Sequence, residues 1–343
     1  MSSSFGAAPR VISRHDLTRT LYEALPAASL SKMLPNKKFS SMEITNNGVI
    51  VSCADGSSYH GSIVIGADGA HSMVRKLMRT LALEAGSSAV NEEQPYLTTY
   101  RSLWIRFPRP HDLVVGTSCE AHGRDLATQL FAGEETGVIG VYERIETPTK
   151  ERQRYTAADQ DALIKKWGHV SVVSNGGQTL REVYDSRSES GLVSLEEGVV
   201  QHWSYGGRVA LVGDAAHKFT PSTGAGCMNG LLDIVALVNK LQTIVQPHST
   251  APDTTTIATA FKAYQTQREA SAHAANKQSG QVTAMATWQN GGIKFIDRHV
   301  LSYHAVQKRL FSLGAKTTAM TPSFGFADEV EQFAGRVPWV RVV

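Results

Sequence analysis

The chain has 343 residues, 42% apolar and 19% charged, a balance that excludes a disordered polymer and allows one large domain or two sharing a core. Its 34 basic and 31 acidic side chains leave a formal net charge of +3, and the basic residues scatter rather than cluster, so no nucleic-acid surface is expected. Cys53, Cys119 and Cys227 fit no CxxC spacing, which argues against a disulfide framework or a zinc site and for a reducing, cytoplasmic setting.

In chain order, the opening stretch MSSSFGAAPRVISRHD has no apolar run of the signal-peptide kind. A helix follows, with Leu17, Leu21 and Leu25 on one face and Pro26 closing it. Two extended pieces then meet at Asn46-Asn47-Gly48, with a second turn at Asp55-Gly56. Ile63-Val64-Ile65 has the apolar run of a strand buried on both faces, and it leads through Gly66-Ala67-Asp68-Gly69 into a helix after His71. Residues 84–95 are expected to form an exposed loop. From 96 to 200 the pattern is one of short strands, at YLTTYRSLWIRF, HDLVVGTS, GVIGVYERI and GLVSLEEG, with one helix at AADQDALIKKWG. YGGRVALVGDAAH then gives a buried strand ending in a Gly-Asp turn. A long helix follows from about Gly224, with Met228, Leu231, Leu232, Val235, Val238 and Leu241 as its expected buried stripe. QPHSTAPDTTT is a loop, and the sequence to about residue 310 is mostly helical. No stretch approaches the roughly 18 apolar residues of a membrane span, while surface attachment of the C-terminal part to a membrane is left open.

Three segments carry chemistry. In GRVALVGDAAHKFTPSTGAGCMNGLLD a buried strand ends at Gly213 and Asp214, and a helix begins at Gly224, Ala225 and Gly226 after a loop containing Pro221. Free N–H groups at a helix start attract anionic or carbonyl groups, and glycines let a flat ligand approach the backbone. Asp214 can accept hydrogen bonds from ligand hydroxyls, so the segment suits a ligand with polyol and electron-poor ring parts. The structural alternative is a Gly-rich turn with Asp214 as a cap. In SIVIGADGAHSMVRKLM, Asp68 can cap the turn and Arg75 can face solvent or a phosphate. Arg14 stands at a helix start, where the dipole disfavours a cation and an anionic partner would help.

In this order the segments resemble the FAD-dependent monooxygenases of the p-hydroxybenzoate hydroxylase fold, nearest to a fungal branch that oxidises terpenoid, indole-terpenoid and polyketide intermediates. The resemblance rests on Arg14 and Leu17; on Gly66 to Gly69, Ser72, Val74 and Arg75; and on Gly207, Arg208, Leu211, Gly213 to His217, Pro221, Gly224 and Gly226, followed by Asn229 and Asp233. It spans about residues 10–275, and WQNGGIKFIDRHV also looks like the fungal branch. It implies an α/β FAD/NAD(P)-binding, glutathione-reductase-like three-layer fold with a sheet-rich substrate domain and a helical C-terminal part. Residues 1–95 and 201–245 would be the two FAD-binding segments, 96–200 the substrate domain and 246–343 the helical region. Asp214 would bind the ribityl chain, the backbone of Gly224, Ala225 and Gly226 would face the isoalloxazine ring, and Arg14 would lie along the cofactor. Asp68 and Arg75 would support the turn near the pyrophosphate. His217 would be either a catalytic or a structural turn residue. NAD(P)H would supply electrons, and dioxygen the atom inserted into a small apolar substrate, with water as the other product.

One departure stands out. Family members begin with a strand, G-x-G-x-x-G and a helix that cradles the pyrophosphate, and no such fingerprint precedes Arg14. The expectation is an N-terminally incomplete FAD domain with an open sheet edge. Two other readings stay open: a non-redox isomerase or cyclase on the same fold, and a non-catalytic remnant.

Overall fold

The computed structural model describes residues 2–6, 11–173, 177–245, 251–327 and 335–343. In chain order the elements are α1 (Ser2–Phe5), α2 (Arg14–Glu23), α3 (Ala27–Leu30), β1 (Phe39–Thr45), β2 (Gly48–Cys53), β3 (Ser58–Gly61), β4 (Val64–Gly66) and α4 (Met73–Glu84). Next come β5 (Leu97–Pro108), β6 (Ser118–His122), β7 (Leu126–Ala132), β8 (Thr136–Thr149), α5 (Ala157–Trp167), α6 (Leu180–Asp185) and β9 (Glu189–Val199). The last third holds β10 (Ser204–Tyr205), β11 (Val209–Leu211), β12 (His217–Lys218), α7 (Ala225–Val245), α8 (Thr254–Ala286), α9 (Gly291–Ile296) and α10 (His304–Thr318). Among the described residues no helix is long and apolar enough to cross a membrane. Of the loop expected at 246–256, residues 246–250 lie outside the described residues.

Three sheets result. The β1–β2–β3 meander turns where the sequence places its Asn-Asn-Gly, with Thr45 opposite Gly48. Gly48 is required there because a Cβ would strike the Gly61 carbonyl. The second sheet runs β10–β11–β4, with β11 parallel to β4. Val209, Ala210 and Leu211 are fully buried, as expected of a central strand. Ile65 departs from expectation: it is 37% exposed. β4 is an edge strand, and the cover over Ala210, its partner on β11, does not extend over Ile65.

The third sheet has six strands in the order β12–β9–β5–β8–β7–β6, all antiparallel neighbours. Alternation along β5 gives it two characters. Leu103, Ile105 and Phe107 pack with Leu130, Ile139 and Val141 beneath α5 and α6. On the other face, Tyr100, Ala127, Tyr142 and Leu195 meet Ala286 at the end of α8. HDLVVGTS is not a strand. Its residues turn through Gly116 at φ +81°, Val114 and Val115 are 72% and 51% exposed, and pairing starts only at Ser118. Sequence reading did not identify β6 and β7; β7 takes its strand character from pairing with β8, and β6 from pairing with β7.

Two consequences are measurable. Gly137 faces the buried Phe107 ring so closely that a methyl group would overlap it. Gly137→Ala is expected to lower unfolding free energy by about 1–3 kcal/mol, as overpacking does, readable by urea denaturation. Glu143 is 3% exposed on β8 and receives Arg101 from the facing residue of β5 at 2.7 Å, Lys166 at 2.9 Å and the Trp167 indole at 2.7 Å. Burial pushes its carboxyl up, but the three donors outweigh burial and hold it below the usual range. A depressed folded-state pKa contributes stability that is present above the unfolded value of 4.5 and is lost as pH falls through the folded value. Stability should therefore decline below pH 4.5 in an acid titration, and less steeply in Glu143→Gln.

Candidate functional site

Parallel pairing places Leu211 opposite Gly66, so the turns after β4 and β11 leave the same end of the sheet side by side. Carboxyl ends of parallel strands are where α/β sheets bind ligands. The Val212 N–H donates to the Gly66 carbonyl at 3.0 Å. Arg75, 3% exposed, donates Nη1 to the Ala215 carbonyl at 2.8 Å and Nη2 to the Ala70 carbonyl at 2.6 Å. It thus clasps one turn to the other. The Tyr96 ring lies 5.0 Å from the guanidinium carbon, and its hydroxyl donates to the Asp214 carbonyl at 2.8 Å. Burial pushes the Tyr96 phenol far above its usual range, so it remains a donor.

Asp68 caps α4: its Oδ2 accepts the Met73 and Val74 N–H groups at 2.7 and 3.1 Å, and Ser72 Oγ accepts that of Arg75 at 2.9 Å. Asp214 differs. It is half-buried, and among the described residues no hydrogen bond reaches its carboxylate. Its Oδ1 would lie 4.0 Å from a Cβ on Gly226, with nothing nearer that position. Pro221 opens an exposed single turn, and Gly224 follows at φ +65°, where a Cβ would meet nothing within 4 Å. Ala225 begins the 21-residue helix α7, whose first N–H groups have no partner within the helix. The loop is held from behind by hydroxyl pairs of 2.7 Å, Ser222 with Thr283 and Thr223 with Ser279, both partners lying on α8.

Behind the cleft lies a buried ionic core. Asp233 Oδ2 accepts His217 Nε2 at 2.7 Å and the Gly213 N–H at 2.9 Å, while Oδ1 accepts Arg268 Nε at 2.8 Å. Arg268 also donates Nη2 to Asn229 Oδ1 at 2.8 Å. Asp233, His217 and Arg268 are 0%, 1% and 3% exposed. Among the described residues His217 Nδ1 is buried without a partner, and Nε2 donates to the Asp233 carboxylate. His217 stacks on Phe219 and belongs to the wall of the site. This core also rotates α7 from its expected seating. Asn229, Asp233, Ala236 and Leu237 face inward, while Met228 and Leu231 are 58% and 41% exposed.

Asp68, Arg75, Asp214 and Gly224 to Gly226 are therefore gathered at one end of the sheet. Arg14 is not. It is exposed on α2, a helix that buries none of its residues, and its guanidinium has no hydrogen bond among the described residues. Leu21 on the same helix is 54% exposed. Sequence reading missed Tyr96, Arg268 and the hydroxyl pairs, which meet the cleft across long stretches of chain and carry no local signature.

A family model described as FAD binding domain matches residues 3–279. The chain belongs to this FAD-binding family. Among curated proteins it is 30% identical over 290 residues to the FAD-dependent monooxygenase verC1 of Penicillium polonicum, covering 80% of this chain and 34% of that protein. It is 29% identical to the FAD-dependent monooxygenase DEP2 of Fusarium langsethiae, covering 80% and 53%. The chain thus spans about a third to a half of these relatives' length. Of solved structures, Klebsiella pneumoniae HpxO, complexed with FAD and uric acid, superposes with a TM-score of 0.62 at 18% identity, over 90% of this chain and 72% of that one, and so shares the fold. The residues of the cleft fit the cofactor of this family: among the described residues the carboxylate of Asp214 lacks a partner, and a side chain at Gly226 would fill the space before it.

Proposed function

We propose that the chain is the catalytic body of an FAD-dependent monooxygenase of fungal secondary metabolism, taking electrons from NAD(P)H and inserting one atom of dioxygen into an apolar terpenoid, indole-terpenoid or polyketide-derived compound. The observation that carries this reading is the unpartnered Asp214 carboxylate set against Gly226 at the start of α7. Residues 1–95 and 201–245 form the FAD-binding half, arranged in the three layers of a glutathione-reductase-like fold, 96–200 the substrate half and 246–343 a helical cover. Asp214 accepts hydrogen bonds from the ribityl hydroxyls, and the free N–H groups near Gly224, Ala225 and Gly226 donate to the polar edge of the ring. Pro221 shapes the loop beside them. Asp68 and Arg75 fix the turn at Gly66 to Ala70 as a support near the pyrophosphate, and Arg14 lies along the cofactor. Bound FAD supplies the redox chemistry and activates oxygen; the protein orients the substrate and keeps bulk water out.

The substrate floor is the α8-facing side of the six-stranded sheet. Glycine makes this floor flat: a Cβ at Gly191 would lie 2.7 Å from Trp104 Nε1, and one at Gly140 would lie 3.0 Å from the Tyr142 hydroxyl. The test is turnover with FAD, NADPH, a panel of apolar substrates and isotope-labelled dioxygen. Incorporation of one labelled oxygen per product is expected. A product that forms without oxygen or NADPH would replace this reading with the isomerase or cyclase one.

A further inference from the structure

α10 is seated against its own sequence pattern. It reads HAVQKRLFSLGAKTT, and Val306, Leu310 and Leu313 repeat at the spacing of a stripe that faces a core. In the structure that stripe faces outward. The buried residues here are Ala315 on α10 and Ala319 just beyond it. Ala315 stands five positions after Leu310, about 140° round the helix. Leu310, Phe311 and Leu313 are each more than half exposed.

Hydrogen bonds beyond its end hold α10 in this rotation. The Ala319 carbonyl accepts the Val340 N–H at 2.9 Å, and Ser323 donates its N–H to the Val342 carbonyl at 2.7 Å. Asn239 on α7 donates Nδ2 to the Ser323 carbonyl and accepts the Gly325 N–H, both at 2.9 Å. The small alanine side is thus pinned to the body, and the leucine side is left to the surroundings. Phe295 and Tyr303 before the stripe and Met320 after it are exposed in the same way.

The charge along this face has one sign. No Asp or Glu occurs from Arg298 to Ala327, a stretch that carries Arg298, Lys308, Arg309 and Lys316. Of the flanking acids, Asp297 is taken up by His122 and Trp288, and Asp328 lies outside the described residues. None of the four cations has an ion pair among the described residues. Arg309 and Lys316, two turns apart, run along one flank of the leucine stripe. An exposed apolar stripe beside unpaired cations is the pattern of a helix that lies in a lipid–water interface. A second copy of this chain fits the face poorly, because a two-fold contact would set the same cations against each other with no acid between them. We propose that α10 docks the protein on the surface of an anionic lipid bilayer, with Leu310 and Leu313 in the boundary between headgroups and acyl chains and Arg309 and Lys316 on the lipid headgroup anions. The inference stands on α10 and not on the monooxygenase reading.

The test is flotation of the full chain with vesicles of phosphatidylcholine alone, or of equal parts phosphatidylcholine and phosphatidylserine. Binding to the anionic vesicles should be at least about tenfold stronger, since each cation near such a surface contributes roughly a fivefold gain. Salt at about 1 M, where charges are screened beyond about 3 Å, should remove most of that preference. Arg309→Gln with Lys316→Gln should weaken binding to the anionic vesicles at least about fivefold. Leu310→Gln with Leu313→Gln should weaken it at least about tenfold. All four side chains are exposed, so both double variants should keep the wild-type unfolding midpoint. Anionic vesicles bound no better than neutral ones, or folded double variants that float as well as the wild type, overturn the proposal. A lipid-free dimer that comes apart in the Leu310→Gln, Leu313→Gln variant also overturns it and assigns the face to a second copy. Failure of the flavin reading looks different: vesicle binding persists in a chain that does not take up FAD.

Discussion

Arg268→Met is expected to lower the unfolding free energy by about 3–5 kcal/mol, the range for removing one partner of a buried ion pair. Asp233 is fully buried, and among the described residues Arg268 is its only guanidinium partner. Methionine keeps much of the volume but leaves the carboxylate with only the Gly213 N–H and the His217 Nε2–H. It also strips Asn229 Oδ1 of its donor. A domain of ordinary stability holds only about 5–15 kcal/mol in total, so the variant should lie near its folding threshold. Urea denaturation followed by circular dichroism measures the loss. A change below about 1 kcal/mol would mean that His217 and the backbone satisfy Asp233 without the arginine.

Asp214→Ala should behave in the opposite way. No hydrogen bond within the described residues holds its carboxylate, so the unfolding midpoint should hardly move. Its loss should instead weaken FAD binding about 10–100-fold, as removing a charged acceptor of ligand hydroxyls does. Gly226→Val should weaken FAD binding by another route, because its side chain would occupy the space in front of Asp214. If Asp214→Ala lowers the unfolding midpoint and leaves the FAD affinity of the folded chain intact, Asp214 is a structural cap and the site lies elsewhere.

Much of this site was legible because its residues are close in sequence. The run from Val209 to Gly226 shows a buried strand, a Gly-Asp turn and a helix start in consecutive positions, and the structure reproduces each. The turn at Gly66 to Gly69 was legible for the same reason. Pairing in three dimensions was not. Arg75 reads locally as a surface or phosphate-facing arginine, yet it reaches carbonyls on both turns, one of them 140 positions away. The apolar pattern of α7 pointed to Met228 and Leu231 as its buried side, because hydrophobicity cannot anticipate that Arg268 draws Asp233 and Asn229 inward. The strand mistaken at HDLVVGTS shows the same limit, since valines favour strands only where a neighbour pairs with them.

The most direct test of the central claim, that the paired turns after β4 and β11 form a flavin cleft, is titration of the wild-type chain with FAD, followed by flavin fluorescence. Saturable one-to-one binding with altered emission is the predicted result. A folded chain that leaves FAD fluorescence unchanged across the titration would contradict it.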